Sequence, residues 1–228
     1  MKTIILAGGK GTRLPESAKH IPKPLVEVAG KPILEHQIHA LIAQGFPDIR
    51  LSLGHKAEVI RDWVVKRWPH VECVIEAEPR GTGGAIRYAS ADLLEPFLVV
   101  NGDIVSDFNF SDVASKGKET GANVILGHAL PDAREMGLLE VQGDTIRAFL
   151  EKPKVERPGI INAGLYYLQP NLFHRMPDQF SIEHMIFPEL ARAGALRHVL
   201  HRGNYWFDCG TEERLRNVRA YLEVRSKR

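Results

Sequence analysis

The sequence predicts an α/β protein with a doubly wound, mixed but mainly parallel sheet and a smaller β-rich extension. Three observations carry this. Short β-branched apolar runs alternate with longer segments of helical length over the first 120 residues. Those runs are continuously apolar, as strands covered on both faces are. After residue 121 strand-like runs follow one another with only short connections.

Residues 4–7, 49–53, 71–75 and 97–101 are the first predicted strands. Residues 33–44, 56–68 and 83–93 between them have the length of crossover helices, and Gly45 is a C-terminal stop for the first. Strand–helix alternation with right-handed crossovers gives a parallel sheet. Residues 122–129, 137–141, 145–150 and 160–168 read as further strands, with a hairpin turn at Gly143-Asp144. Helices are expected at 181–193 and 212–224, with short strands at 196–201 and 205–208 between them. The 228 residues suit a single domain, with halves of about 1–120 and 121–228 forming two walls of a cleft. A chain of this length buries roughly 70% of its unfolded surface without disulfide or metal.

Composition narrows the partners. Thirty basic residues against 28 acidic ones give +2, too balanced for a nucleic-acid binder. No run approaches the ~20 apolar residues of a membrane helix, and the apolar run after Met1-Lys2 is too short for a signal peptide. Cys73 and Cys209 are widely separated and read as reduced thiols in a cytoplasmic protein. Small-molecule ligands, held by local charge, are therefore expected.

The first strand runs directly into Leu6-Ala7-Gly8-Gly9-Lys10-Gly11-Thr12-Arg13-Leu14. Glycines let the chain turn and present bare N–H groups to phosphate oxygens, and the Arg13 fork suits phosphate geometry. The plainer reading is a turn with solvated cations. His20-Ile21-Pro22-Lys23-Pro24-Leu25 sets a lysine between two prolines, which stiffen the backbone and aim the charge. Asp103 follows the strand 97–101 at the carboxyl end where open α/β sheets bind ligands, and Asp208 ends the short strand 205–208. Each aspartate alone also fits a turn or a helix cap.

In order along the chain stand Ile5-Leu6-Ala7-Gly8-Gly9-Lys10-Gly11-Thr12-Arg13-Leu14, Pro22-Lys23-Pro24, Glu78-Pro79-Arg80-Gly81-Thr82-Gly83-Gly84-Ala85, Asn101-Gly102-Asp103, Glu151-Lys152-Pro153, Asn162-Ala163-Gly164 and Phe207-Asp208-Cys209-Gly210-Thr211. This series resembles the sugar-1-phosphate nucleotidyltransferases, which make nucleotide sugars and release pyrophosphate. The resemblance implies their Rossmann-like fold and a Mg²⁺ cofactor held by Asp103 and Asp208. It implies triphosphate binding at Leu6, Ala7, Gly8, Gly9, Gly11, Thr12 and Arg13, with Arg13, Lys23 and Asp103 catalytic and Lys23 on the α-phosphate. Glu78, Gly81, Thr82 and Gly83 would face the nucleobase. Asn101, Gly137, Glu151, Lys152 and Asn162 would hold the sugar phosphate, Lys152 on the phosphate and Glu151 and Asn162 on sugar hydroxyls. A surface Glu–Lys pair and a plain turn glycine are the bland readings of Glu151-Lys152 and Gly137.

The implied reaction is attack by a sugar-1-phosphate oxygen on the α-phosphorus of a nucleoside triphosphate. The nucleophile already carries about −1.5 to −2 charge near neutral pH, so no general base is required. Positioning and charge neutralisation supply the catalysis. The base motif is nearest to guanylyltransferases acting on D-glycero-α-D-manno-heptose 1-phosphate or mannose 1-phosphate. Uridylyltransferases acting on N-acetylmuramate or N-acetylglucosamine 1-phosphate carry nearly the same residues, and a non-catalytic nucleotide-sugar-binding homologue is a third reading. A monomer or homodimer without membrane or nucleic-acid partner is expected. The chain departs from the family where Leu14-Pro15-Glu16-Ser17-Ala18-Lys19 replaces the usual Pro-Leu-Thr in the loop expected to close over the triphosphate. His36 and His39 lack a third ligand at metal spacing. Trp63, Trp68 and Tyr88 read as packing residues, and Arg214, Arg216 and Arg219 as a solvated helix face.

Overall fold

The computed structural model describes residues 1–11, 20–154 and 156–226. In chain order the elements are β1 (Thr3–Leu6), a short 3₁₀ helix (Lys23–Leu25), β2 (Glu27–Val28), β3 (Lys31–Pro32), α1 (Ile33–Ala43), β4 (Ile49–Leu53), α2 (Ala57–Val65), β5 (Glu72–Ile75) and α3 (Gly81–Ala89). There follow β6 (Phe97–Asn101), β7 (Ile104–Ser106), α4 (Phe110–Thr120), β8 (Asn123–Leu130), β9 (Gly137–Gln142), β10 (Thr145–Glu151) and β11 (Gly159–Leu168). After a second 3₁₀ helix (Pro170–Phe173) come α5 (Ile182–Arg192), β12 (Leu196–Leu200), β13 (Trp206–Asp208) and α6 (Glu212–Ser226).

The main sheet has the order β5-β4-β1-β6-β11-β8-β12-β10-β9. Its first four strands are parallel, as the alternating pattern predicts. Beyond β6 the sheet is mixed: β11 is antiparallel to both β6 and β8, while β8 and β12 are parallel. The parallel part is thus concentrated in the nucleotide half of the sequence reading. Strand β9 pairs with β10 and returns to the start of β11, so β8, β12, β10, β9 and β11 form a closed ring of pairings.

Period-two alternation divides the buried strand residues between two layers. Leu98 and Val100 join a core with Leu34, Ile38 and Leu41 of α1, Ile60 and Val64 of α2, and Val113 of α4. Phe97 and Val99 join Ile86 of α3 and Ile182, Ile186 and Phe187 of α5 on the other face. A smaller core of Val26, Val28, Ile33, Val105, Cys209, Leu215 and Val218 lies beneath a two-stranded ribbon of β7 and β13.

The stretch 104–121, to which the sequence pattern assigned no element, holds β7 and α4. Helix α4 starts on Asn109, whose side chain accepts from the Ser111 N–H, and stops at Gly121 in the left-handed region. Its buried stripe is Phe110, Val113, Ala114 and Gly117, at helical spacing. The last position is glycine because an added Cβ would lie 2.2 Å from the Tyr167 ring. Helix α3 begins two residues earlier than expected, so Gly81, Thr82, Gly83 and Gly84 form its first turn.

Candidate active site

The residues just beyond the carboxyl ends of β1, β4, β5 and β6 line a cleft of about 680 Å³, a volume typical of small-molecule sites. Residues 6–11, Ser52, Gly54, His55, residues 76–79 and residues 101–103 contribute from these strand ends. Lys23, Pro24, Gly81, Thr82, Ala85 and Gly210 complete the lining. Open parallel sheets place ligands at this edge.

Local geometry explains the glycines of the first loop. A Cβ on Gly8 would lie 3.0 Å from both Glu76 Oε1 and the Gly54 nitrogen, whereas one on Gly9 would meet nothing within 4 Å. Gly11 takes a φ of 61°, which favours glycine. Gly102 donates to the Leu6 carbonyl at 3.0 Å. A Cβ there would sit 2.3 Å from that oxygen, so Asn101-Gly102-Asp103 is pinned against the end of β1. Thr12, Arg13 and Leu14 lie outside the described residues.

Lys23 stands in the 3₁₀ helix between its prolines, where Pro24 is buried and the Leu25 N–H donates to the Pro22 carbonyl. Its Nζ lies 2.6 Å from Asp103 Oδ2, with the lysine side chain 12% and the aspartate 31% exposed. Asp208 is brought alongside by the antiparallel β7–β13 ribbon, in which it pairs with Ile104, and the Cys209 N–H donates to the Asp103 carbonyl. Two carboxylates 105 positions apart in sequence thus cap adjacent strands. Asp208 Oδ1 accepts from the Gly210 N–H at 2.5 Å, and Oδ2 lies 3.1 Å from Arg214. Arg214 is therefore an ion-pair partner of Asp208 and not simply a solvated charge, whereas Arg219 is exposed as expected and donates to the Glu27 carbonyl. Burial, reinforced by the charges of Asp103 and Asp208, pushes the Cys209 thiol up to about 12. Among the described residues no group of three or more His, Cys, Asp or Glu side chains can hold a metal alone; His36 instead bonds the Val28 carbonyl.

The loop expected to face the nucleobase divides. Glu78, Gly81 and Thr82 line the cleft, but Gly83 does not. A Cβ on Gly83 would lie 2.1 Å from the Phe180 ring, and one on Gly84 2.3 Å from the Asp178 carbonyl oxygen. The N–H groups of Gly83 and Gly84 both donate to the Phe180 carbonyl, and the Phe180 N–H donates back to Arg80. These glycines admit the chain of the second half, not a base. The Thr82 hydroxyl donates to Glu183 Oε2 at 2.5 Å and accepts from the Ile182 N–H. Its capacity is largely taken by the protein.

Glu76, which the sequence pattern did not single out, follows β5 and lines the cleft. Burial pushes its carboxyl up, against a hydrogen bond from the Arg80 backbone that lowers it. Its Oε2 is buried without a partner. The strand-end rule that marked Asp103 applies equally to Glu76.

The expected sugar residues gather on the same edge of the sheet. Gly137 pairs with Glu151 across β9 and β10. A Cβ on Gly137 would lie 2.7 Å from the Phe149 ring and 3.1 Å from Glu151 Oε2, so internal packing already accounts for this glycine. Lys152, 53% exposed, sits 3.4 Å from Glu151 Oε1, the pair foreseen as the bland reading. Asn162 accepts from the Gly164 N–H and donates to the Tyr166 hydroxyl at 2.9 Å. The Asn101 side chain reaches the same hydroxyl and its Oδ1 is buried without a partner. Tyr166 is fully buried and so joins the two halves of the site through a phenol that burial holds protonated. Gly137, Glu151, Lys152, Asn162 and Asp208 are not part of the cleft lining itself. No described helix is long and apolar enough to cross a membrane.

Comparison with known proteins agrees with this geometry. Over 241 residues the chain is 33% identical to mannose-1-phosphate guanylyltransferase 1 of Arabidopsis thaliana, covering 100% of this chain and 66% of that protein. It is 34% identical over 221 residues to the mannose-1-phosphate guanylyltransferase catalytic subunit beta of Danio rerio, covering 92% and 61%. The chain spans about two thirds of the length of these curated relatives. HddC from Yersinia pseudotuberculosis, solved with GMP-PN, matches with a TM-score of 0.84 and 32% identity over 97% of this chain and 99% of that one. A putative glucose-1-phosphate thymidylyltransferase from Bacillus anthracis, 21% identical with a TM-score of 0.82 over 96% of this chain and 94% of that one, shares the fold. Residues 2–224 match the model of the nucleotidyl transferase family, and the chain belongs to that family.

Proposed function

We propose that this chain transfers the nucleoside monophosphate of GTP to a manno-configured sugar 1-phosphate, releasing pyrophosphate. The observation that carries the choice of base is Glu76: a buried carboxylate oxygen without a partner, in the cleft, beside Gly8 and Gly54. The guanine edge offers two adjacent donors, N1–H and the 2-amino group, which a carboxylate can accept together. Uracil offers one donor between two carbonyl oxygens, which a carboxylate repels. The mannose-1-phosphate guanylyltransferases among the relatives and the GMP-PN complex of HddC support the same base.

In this reading residues 6–11 receive the triphosphate, with Arg13 as a further phosphate ligand, and Lys23 neutralises the α-phosphate. Glu78, Gly81 and Thr82 border the base. Glu151, Lys152 and Asn162 take the sugar phosphate, with Asn101 between the two substrates. Asp103 and Asp208 fit Mg²⁺: two hard oxygen donors on adjacent strand ends, too few for a shell made by protein alone, suit an ion completed by phosphate oxygens and water. When bound, the ion neutralises the repulsion between the two anionic substrates. We further propose one domain acting in the cytoplasm as a monomer or homodimer.

The test is pyrophosphate release with each nucleoside triphosphate and a panel of mannose, heptose and amino-sugar 1-phosphates. GTP with a manno sugar should turn over fastest. Faster turnover of UTP would overturn the base assignment, and no release with any pair would overturn the enzyme reading.

A further inference from the structure

Both carboxylates assigned to the metal already hold a cation. Asp103 Oδ2 faces Lys23, and Asp208 Oδ2 faces Arg214. The second oxygen of Asp208 is tied to the Gly210 N–H within its own turn. Oδ2 is therefore the oxygen a metal can take without breaking that turn, and it is the oxygen Arg214 covers. The two cations differ in origin and setting. Lys23 lies on a turn stiffened by prolines and lines the cleft. Arg214 lies in the first turn of α6, where its backbone N–H donates to Thr211 Oγ1 and its side chain is 28% exposed. The main chain of Arg214 is thus anchored while its long side chain has room to swing.

A guanidinium and a divalent cation cannot share one carboxylate oxygen without strong repulsion. A metal reaching Asp208 must displace Arg214, and the displaced fork then needs another anion. Phosphate oxygens brought by the substrate match it bidentately. We propose that Arg214 is a positioning residue that occupies Asp208 in the free protein and passes to a substrate phosphate when metal and nucleotide arrive. This rests on the metal assignment proposed above. It makes the free protein a poor binder of divalent cations and the nucleotide complex a good one.

The experiment is Mn²⁺ titration followed by electron paramagnetic resonance, on the free protein and with a non-hydrolysable GTP analogue. Wild type, Arg214→Ala, Arg214→Lys, Asp103→Asn and Asp208→Asn are compared, each checked for a cooperative melt. Arg214→Ala should tighten Mn²⁺ binding to the free protein by about tenfold, the value of one charge-assisted bond. The same variant should shrink the further tightening brought by the nucleotide analogue. Arg214→Lys, which keeps the charge but loses the fork, should bind Mn²⁺ weakly when free and regain only part of the nucleotide effect. An unchanged or weaker Mn²⁺ affinity in free Arg214→Ala overturns the proposal, because Arg214 would then only orient Asp208. If neither aspartate variant lowers Mn²⁺ binding in the nucleotide complex, the metal assignment itself fails. Pyrophosphate release, measured in parallel, reports on the proposed reaction independently of both.

Discussion

The glycines at 8–11 and those at 81–84 both follow a parallel strand and both border the cleft, yet they use their missing side chains differently. Gly9 has open space where a Cβ would be, and the segment faces the cleft. The space beside Gly81, Gly83 and Gly84 is filled by residues 178–180, and the Phe180 carbonyl accepts from the N–H groups of Gly83 and Gly84. Two donors of the first turn of α3, the Gly83 and Gly84 N–H groups, are therefore not available to an anion, because the Phe180 carbonyl already accepts from them. A glycine cluster after a strand therefore marks a close approach without saying whether ligand or protein makes it. Here protein fills the space beside Gly81, Gly83 and Gly84, and also that beside Gly8, while Gly9 is left open.

Four experiments can break or sharpen this contrast. The largest effect is expected at the open side: Lys23→Ala should lower kcat by about 10²-fold or more, as loss of a donor to developing charge does, with the thermal melt little changed. Next, Gly81→Ala should cost about 3 kcal/mol in urea unfolding, since a φ of 72° strains any side chain. The new Cβ would also lie 2.5 Å from the Phe180 carbonyl oxygen. Unaltered stability would mean that the 178–180 contact does not hold α3.

Smaller is the effect of Glu76→Gln, which should reduce the preference for GTP over UTP by about tenfold, within the range of one bidentate base contact. Glu76 also sets a pH dependence. Burial raises its carboxyl, so GTP binding should weaken on acidification at a pH above that of an ordinary glutamate, and the Gln variant should lose this feature. Without nucleotide the sign reverses. The folded state then binds the proton more tightly than the unfolded one, so this group's contribution to stability rises as pH falls through its range. Smallest is Gly9→Ala, which should leave stability within about 0.5 kcal/mol and raise the KM for GTP. A large loss of stability there would remove the distinction between the two clusters.

The parallel strands were legible because Phe97-Leu98-Val99-Val100 is apolar on both faces, and the structure buries all four. Asp103 was legible from its place after that strand. Helix α4 was not, because its apolar stripe ends on Gly117, whose packing against Tyr167 leaves no mark in a hydrophobic pattern. Gly83 misled for the same reason: the ring that needs its space belongs to Phe180, far along the chain. The burial of Glu76 comes from Gly8 and Gly54 across neighbouring strands, so no local pattern shows it. Arg214 was read as a surface charge because helical spacing gives the face of a side chain but not the strand end it folds back on.

The insertion of β11 between β6 and β8 has a consequence for how the molecule comes into being. During synthesis β6 can pair with β1 early, but its other edge waits for residues 165–168. Until then an apolar strand presents unpaired N–H and C=O groups, a template for adhesion to other chains. A fragment ending near residue 121 keeps that edge permanently open, so it should precipitate where the longer chain does not. Asn101 closes β6 beside Gly164 of β11, so the floor of the cleft is among the last parts to be completed.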